Sequence, residues 1–249
     1  MDGLDWGQID QLIALALSED LGAGDITSEA TVSKDAHAVG QIVAKKGCIA
    51  AGLFLVEKVY EAIGDDIEVE LLCSEGAKIT AGTPLCRLAG SYRTLLAGER
   101  TVLNFIQRTC GIATLTSRFV KAVAGTSCTV YDTRKTCPGF RSLDKYAVRA
   151  GGGANHRMGL YDAILIKENH VAAAGSVAAA IESARELSGD VQLVVEVRNF
   201  EELVLAVEYG ADVVMLDNMN RPAIAKAVAL VGDRVELEVS GGVTVGTVK

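Results

Sequence analysis

Residues 193–218, LVVEVRNFEELVLAVEYGADVVMLDN, decide the fold. A short Leu/Val run gives way to charge at Glu196, Arg198 and Asn199. Residues 201–209 then follow with helical spacing, and a second apolar run, 213–216, ends in Asp217-Asn218. Strand, polar ending, helix, strand, polar ending is one βα step. Near-continuous aliphatic strands of this kind belong to a parallel sheet buried on both faces.

The same rhythm extends outward in both directions. It predicts strands at 129–131, 163–166 and 235–239 beside those at 193–197 and 213–216, with Ala-rich helices at 177–187, 201–209 and 222–231. The sheet could be open or closed. The strand endings favour closure: Asp132-Thr133-Arg134-Lys135, then Lys167-Glu168-Asn169-His170, then Glu196, then Asp217-Asn218, then Ser240-Gly241-Gly242. An α/β barrel assembles its site from the C-terminal ends of several strands, whereas one polar ending alone would only mark the start of a loop.

Upstream the text changes. Residues 38–88 hold short Val/Ile/Leu-rich strands separated by glycine turns, with a helically spaced segment at 53–63. Residues 92–124 read as largely helical, with possible interruptions at Gly98 and Gly111. We therefore expect an N-terminal α+β domain over residues 1–112, including the linking helix, and an α/β barrel domain over 113–249. At the start, Ile9, Leu12, Ile13, Ala16 and Leu17 form an amphipathic helical stripe without the cationic start of a signal peptide, and Asp25 follows a glycine break as a cap or turn residue.

Composition narrows the function. The 249 residues carry a formal net charge of -8, 49% hydrophobic residues and only 5% aromatics, which suits aliphatic packing and disfavours a nucleic-acid surface. No run approaches the roughly 18 apolar residues of a membrane span. Six cysteines stand singly without metal-ligand spacing, as expected of reduced thiols in a cytoplasmic protein.

Within this acidic chain, residues 132–170, DTRKTCPGFRSLDKYAVRAGGGANHRMGLYDAILIKENH, hold seven Lys/Arg against four carboxylates and two of the three histidines. That is the signature of a pocket for a small, highly charged anion. Arg134, Lys135, Arg157 and Lys167 offer forked and point-like cations, suited to carboxylates or phosphates. Gly151-Gly152-Gly153 and Ser240-Gly241-Gly242 permit close backbone approach to a ligand. The second precedes Val243-Thr244, read as the start of a helix whose N-terminus would favour phosphate. Glu196 and Asp217 could accept from sugar hydroxyls, hold Mg²⁺ through water or stabilise a developing cation, or could merely pair with neighbouring Lys or Arg. His156 could bind an anion, move a proton or serve structure. His37 reads as surface, and His170 as either orienting Lys167 or touching substrate. Lys167 could also form a Schiff base as in barrel aldolases.

These residues resemble a known family. The run at 132–170 is similar to the central signature of the quinolinate phosphoribosyltransferases, also called carboxylating nicotinate-nucleotide pyrophosphorylases. EDLGAGDIT at 19–27, AGERTVLNFIQRTCGIAT at 97–114, VEVRN at 195–199, MLDNM at 215–219 and EVSGGVT at 238–244 stand in the family's order.

The resemblance implies a type II phosphoribosyltransferase-like barrel behind a sandwich-like α+β domain, working as a cytoplasmic homodimer with shared sites. Phosphoribosyl would pass from phosphoribosyl pyrophosphate to quinolinate, giving nicotinate mononucleotide, pyrophosphate and CO₂ in NAD biosynthesis, with Mg²⁺. Thr133, Arg134, Lys135, His156, Arg157 and Lys167 would line the quinolinate and phosphate pocket, and Arg100 would reach in from the partner. Glu196 and Asp217 would meet the ribose hydroxyls and the metal-bound pyrophosphate, and Ser240, Gly241 and Gly242 would cradle the 5′-phosphate. Lys135, Lys167, Glu196 and Asp217 would carry the chemistry.

The family pattern also implies a further strand with a GAL-like motif and a closing helix after SGG. A chain ending at Lys249 is thus expected to have an incomplete barrel and reduced stability or activity. The other readings are a paralogue associated with molybdenum transport, a Schiff-base aldolase using Lys167, and a non-catalytic homologue.

Overall fold

The computed structural model describes residues 3–64, 67–188 and 191–249. Contacts divide the chain into two compact units, one of Met1–His156 with Lys249 and one of Arg157–Val248.

The first unit begins with α1 (Trp6–Leu21), capped by the Asp5 carboxylate, which accepts from the Gln8 N–H; Ile9, Ile13 and Leu17 are its buried stripe. Asp25 caps α2 (Ile26–Thr31) in the same way, accepting from Thr27 N, Ser28 N and Ser28 Oγ. Next come β1 (His37–Val43), β2 (Cys48–Ile49), α3 (Phe54–Ile63), β3 (Glu68–Leu71), β4 (Lys78–Ile79) and β5 (Pro84–Ser91). β1, β5 and β3 form an antiparallel sheet in that order, and β2 pairs with β4. The core gathers Ile9 and Ile13 of α1, Val56 and Val59 of α3, Cys86 and Leu88 of β5, and Val102 and Phe105 of the next helix.

That helix, α4 (Tyr92–Ala122), runs 31 residues without a break, so the possible interruptions at Gly98 and Gly111 do not occur. The glycine at 98 is a matter of space: a Cβ there would lie 2.4 Å from Tyr60 Cε1 and 3.0 Å from Ile63 Cδ1, where α3 crosses α4. α5 (Arg141–Ala150) completes the unit. The Asp144 carboxylate on α5 accepts from Arg108 Nε at 2.8 Å and Nη2 at 2.7 Å, which clamps α5 to α4. This helix lies inside the run read above for its charge, and the reading missed it.

The second unit is the βα repeat: β6 (Ile164–Ile166), α6 (Glu168–Ala174), α7 (Val177–Ser188), β7 (Leu193–Val197), α8 (Phe200–Glu208), β8 (Val213–Asp217), α9 (Arg221–Val231) and β9 (Glu236–Ser240). The four strands are parallel and lie in chain order. Alternation separates the faces. Leu193, Val195, Val197, Val214 and Leu216 pack under the helices, whereas Leu165, Val194, Val213 and Met215 form a separate cluster on the opposite face.

The sheet is one wall of an α/β barrel, and among the described residues it does not close. Two expectations about individual elements fail. Residues 129–131 make only an isolated parallel bridge, Tyr131 to Ala154, and no strand. After Ser240-Gly241-Gly242 there is no helix but a single turn, in which Thr244 O accepts from Thr247 N and Val248 N, both at 3.0 Å.

Candidate active site

In the second unit the polar residues fall on the face that carries no helices. Register pairs Glu196 with Met215 and Met215 with Glu238, so both carboxylates share a row with a residue of the helix-free face, and Asp217 pairs with Ser240 one step further. Lys167 follows β6 directly, and its Nζ lies 3.3 Å from Glu196 Oε2. Glu196 is thus a Lys partner on a polar ridge. The Lys167 backbone N–H donates to His170 Nδ1 at 2.9 Å, so His170 orients the strand end and carries its own proton on Nε2. Arg157 Nη1 donates to Ala163 O at 2.9 Å, tying the start of the unit to the entry of β6.

Asp217 is half-buried and accepts from Asn218 Nδ2 at 2.8 Å. Asn218 itself is left-handed at φ 53, and its N–H donates to Ser240 O at 2.9 Å. Gly241 is required beside it: its φ is 87, and a Cβ would come within 2.2 Å of Asn218 Oδ1. The SGG loop is therefore shaped at this point by the neighbouring β8 ending. Glu238 was not singled out from sequence, because nothing in EVS distinguishes an inward carboxylate. Burial pushes its carboxyl above the ordinary glutamate range.

The first unit, described by itself, carries a cationic loop at residues 133–135. Thr133 Oγ1 accepts from Lys135 N at 3.0 Å, and Arg141 Nη2 donates to Arg134 O at 3.4 Å, which together set the turn. Arg134 is half-buried and its Nε is fully buried without a hydrogen-bond partner among the described residues. Buried guanidinium N–H groups are ordinarily hydrogen-bonded, so this one stands out. Thr133 and Lys135 are exposed, His156 is half-buried, and Arg100 is exposed on α4.

Two of the three glycines at 151–153 are fixed by packing, and Gly152 by its positive φ of 88. A Cβ on Gly151 would meet Ala113 O at 2.4 Å, and one on Gly153 would meet Thr116 Cγ2 at 2.8 Å.

No group of three or more His, Cys, Asp or Glu among the described residues is placed to hold a metal by itself. Mg²⁺ is commonly held by one or two carboxylates through water together with substrate phosphates, and Asp217 with Glu196 fits that lesser demand. A cleft of about 660 Å³ lies at the opposite, N-terminal ends of β8 and β9, beside Asp212, Asp233 and Glu236, and includes none of these residues.

Comparison with known proteins shows the family. Residues 25–110 match the family model for the quinolinate phosphoribosyl transferase N-terminal domain, and residues 112–249 match that for its C-terminal domain. The "Probable nicotinate-nucleotide pyrophosphorylase [carboxylating]" of Bacillus subtilis (strain 168) is 40% identical over 95% of this chain and 82% of its own length. "Quinolinate phosphoribosyltransferase [decarboxylating] 1b" of Nicotiana tabacum is 39% identical over 95% of this chain and 73% of its own. The crystal structure of NadC from Streptococcus pyogenes superposes with a TM-score of 0.94 at 37% identity, over 100% of this chain and 88% of that one.

The mixed α/β unit, the parallel wall and the charged strand ends define a phosphoribosyltransferase of the type II class. Within that class the chain belongs to the quinolinate phosphoribosyltransferase family.

Proposed function

We propose that the chain joins the ring nitrogen of quinolinate to C1′ of phosphoribosyl pyrophosphate, with loss of pyrophosphate and then of the adjacent carboxylate as CO₂. The product is nicotinate mononucleotide, an intermediate of NAD biosynthesis. The observation that carries this reading is the helix-free face of the parallel sheet, where Lys167, Glu196, Asp217 and Ser240 stand together at the C-terminal strand ends.

The chemistry follows from charge. Two dianionic or more highly charged substrates repel each other, so cations such as Arg134, Lys135, Arg157 and Lys167, with His156 as a donor, are needed to bring them together. As the C1′–oxygen bond breaks, positive charge grows on the ribose, and Glu196 and Asp217 would stabilise it and accept from the ribose hydroxyls. Mg²⁺, held by Asp217 and Glu196 through water, would neutralise pyrophosphate. Ser240, Gly241 and Gly242 would receive the 5′-phosphate. Once ribosylated, the positively charged ring nitrogen stabilises the electron pair that departing CO₂ leaves on the adjacent ring carbon, and that carbon then takes a proton; no nucleophilic side chain is required.

The Schiff-base reading loses ground, because such a lysine needs a neutral amine in an apolar pocket and Lys167 is half-exposed beside a carboxylate. We further propose a cytoplasmic homodimer in which Arg100, exposed on α4, serves the partner's site. Incubation with quinolinate, phosphoribosyl pyrophosphate and Mg²⁺ tests the reaction: release of CO₂ with nicotinate mononucleotide is expected, and no product from folded protein would overturn it.

A further inference from the structure

We propose that the buried pair Lys145–Asp132 is a positioning device that aims His156 and the Thr133–Lys135 loop at the anionic substrate. The side chains are 3% and 8% exposed and form an ion pair through Lys145 Nζ and Asp132 Oδ1. Lys145 sits in the middle of α5, between Leu143 and Ala147 of the core, on a helix already fixed by Arg108–Asp144 and by Asp5 N donating to Ser142 Oγ at 3.0 Å.

The pair bonds both backbone polar groups of His156. Its N–H donates to Asp132 Oδ1 at 3.0 Å, and its carbonyl accepts from Lys145 Nζ at 2.8 Å. The residue before it is held as well: Asn155 Nδ2 donates to Asp132 Oδ2 at 2.5 Å and to Lys145 O at 2.9 Å, and Arg149 donates to Asn155 Oδ1. Asp132 N in turn donates to Ala154 O at 3.2 Å. One knot thus fixes the points at which two strands of chain emerge, one as Thr133-Arg134-Lys135 and the other as His156.

Stability does not account for such a knot. A buried ion pair often contributes no more than an apolar pair of the same volume, because desolvation offsets the attraction. What it provides here is orientation: Asp132 takes three donors and Lys145 satisfies two acceptors, leaving one geometry for both segments.

This inference rests on the proposed reaction for its kinetic readout. Asp132→Asn combined with Lys145→Met removes both charges at once, so no uncompensated charge remains to unfold the protein. We expect the double variant to keep its cooperative melting but to lose kcat/KM for quinolinate by roughly 10- to 100-fold, the scale at which misplacement near the chemistry acts. His156→Ala then separates positioning from mere structure: it should cost much less in the double variant than in the parent, because the pair acts through His156. Full kcat/KM in the folded double variant, or strictly additive losses, would overturn the proposal. Should the parent not turn over quinolinate, the proposed reaction fails while the clamp remains testable. The imidazole resonance of His156, assigned with His156→Ala, should shift in the double variant, and an unchanged resonance would sink the clamp.

Discussion

At the residue scale, the unpartnered Nε of Arg134 and the half-buried carboxyl of Glu238 give two separable expectations. Arg134 presents a buried Nε with no partner among the described residues, while its carbonyl is held by Arg141. Arg134→Ala should therefore leave the loop folded and raise the KM of the anionic substrates by roughly 30-fold or more, about 2 kcal/mol. Steady-state kinetics beside a melting curve checks it, and an unchanged KM would remove Arg134 from the site. Glu238 works in the opposite sense. Burial raises its carboxyl above the ordinary range, so the folded state holds a proton that the unfolded state releases first. Stability from this group is complete below the ordinary glutamate range and falls as pH rises through the raised value. Glu238→Gln should accordingly raise the melting temperature at pH 7 and give no gain in acid below about pH 4, the ordinary glutamate value being near 4.3. A gain of equal size at both pH values would contradict burial as the cause.

At the element scale, α4 offers a matched pair of glycines. Alanine favours a helix over glycine by about 0.5–1 kcal/mol. At Gly111 the added methyl meets nothing within 4 Å, so Gly111→Ala should stabilise by about that amount. At Gly98 it would strike Tyr60, whose hydroxyl already donates to Leu95 O at 3.0 Å, so Gly98→Ala should destabilise by roughly 1–3 kcal/mol despite the same propensity gain. Denaturant midpoints of the two variants decide; stabilisation at both would mean that α3 can yield. The same pair shows why sequence misjudged this helix. Both glycines look alike in the text, and only the neighbour across the crossing tells them apart. Strands β7 and β8 were legible because aliphatic runs with polar endings are local, and so were α7, α8 and α9. Residues 129–131 carry the same β-branched character, yet Tyr131 pairs only with Ala154, and pairing is not a local property. Lys167, Glu196 and Asp217 were readable as strand endings. Lys145 and Asp132 were not readable as a unit, since the burial that makes them one arises from α5 packing on α4.

At the scale of the whole molecule, the proposal that Arg100 serves a partner's site has a consequence that a monomeric enzyme cannot reproduce. Arg100 lies exposed on an uninterrupted helix of the first unit, while Lys167, Glu196 and Asp217 belong to the second. If sites are shared in a homodimer, Arg100→Ala and Lys167→Ala damage different contributions to each site, and either variant alone should be nearly inactive. After subunit exchange, half of the dimers carry one chain of each kind. Each such dimer has one doubly damaged site and one intact site, so the mixture should recover about a quarter of the parent's activity. The recovery must track exchange, which mass labelling of one variant follows directly. Activity that stays at the level of the separate variants after exchange is complete would place Arg100 in its own chain's site or outside the site altogether, and would leave the dimer without a catalytic reason.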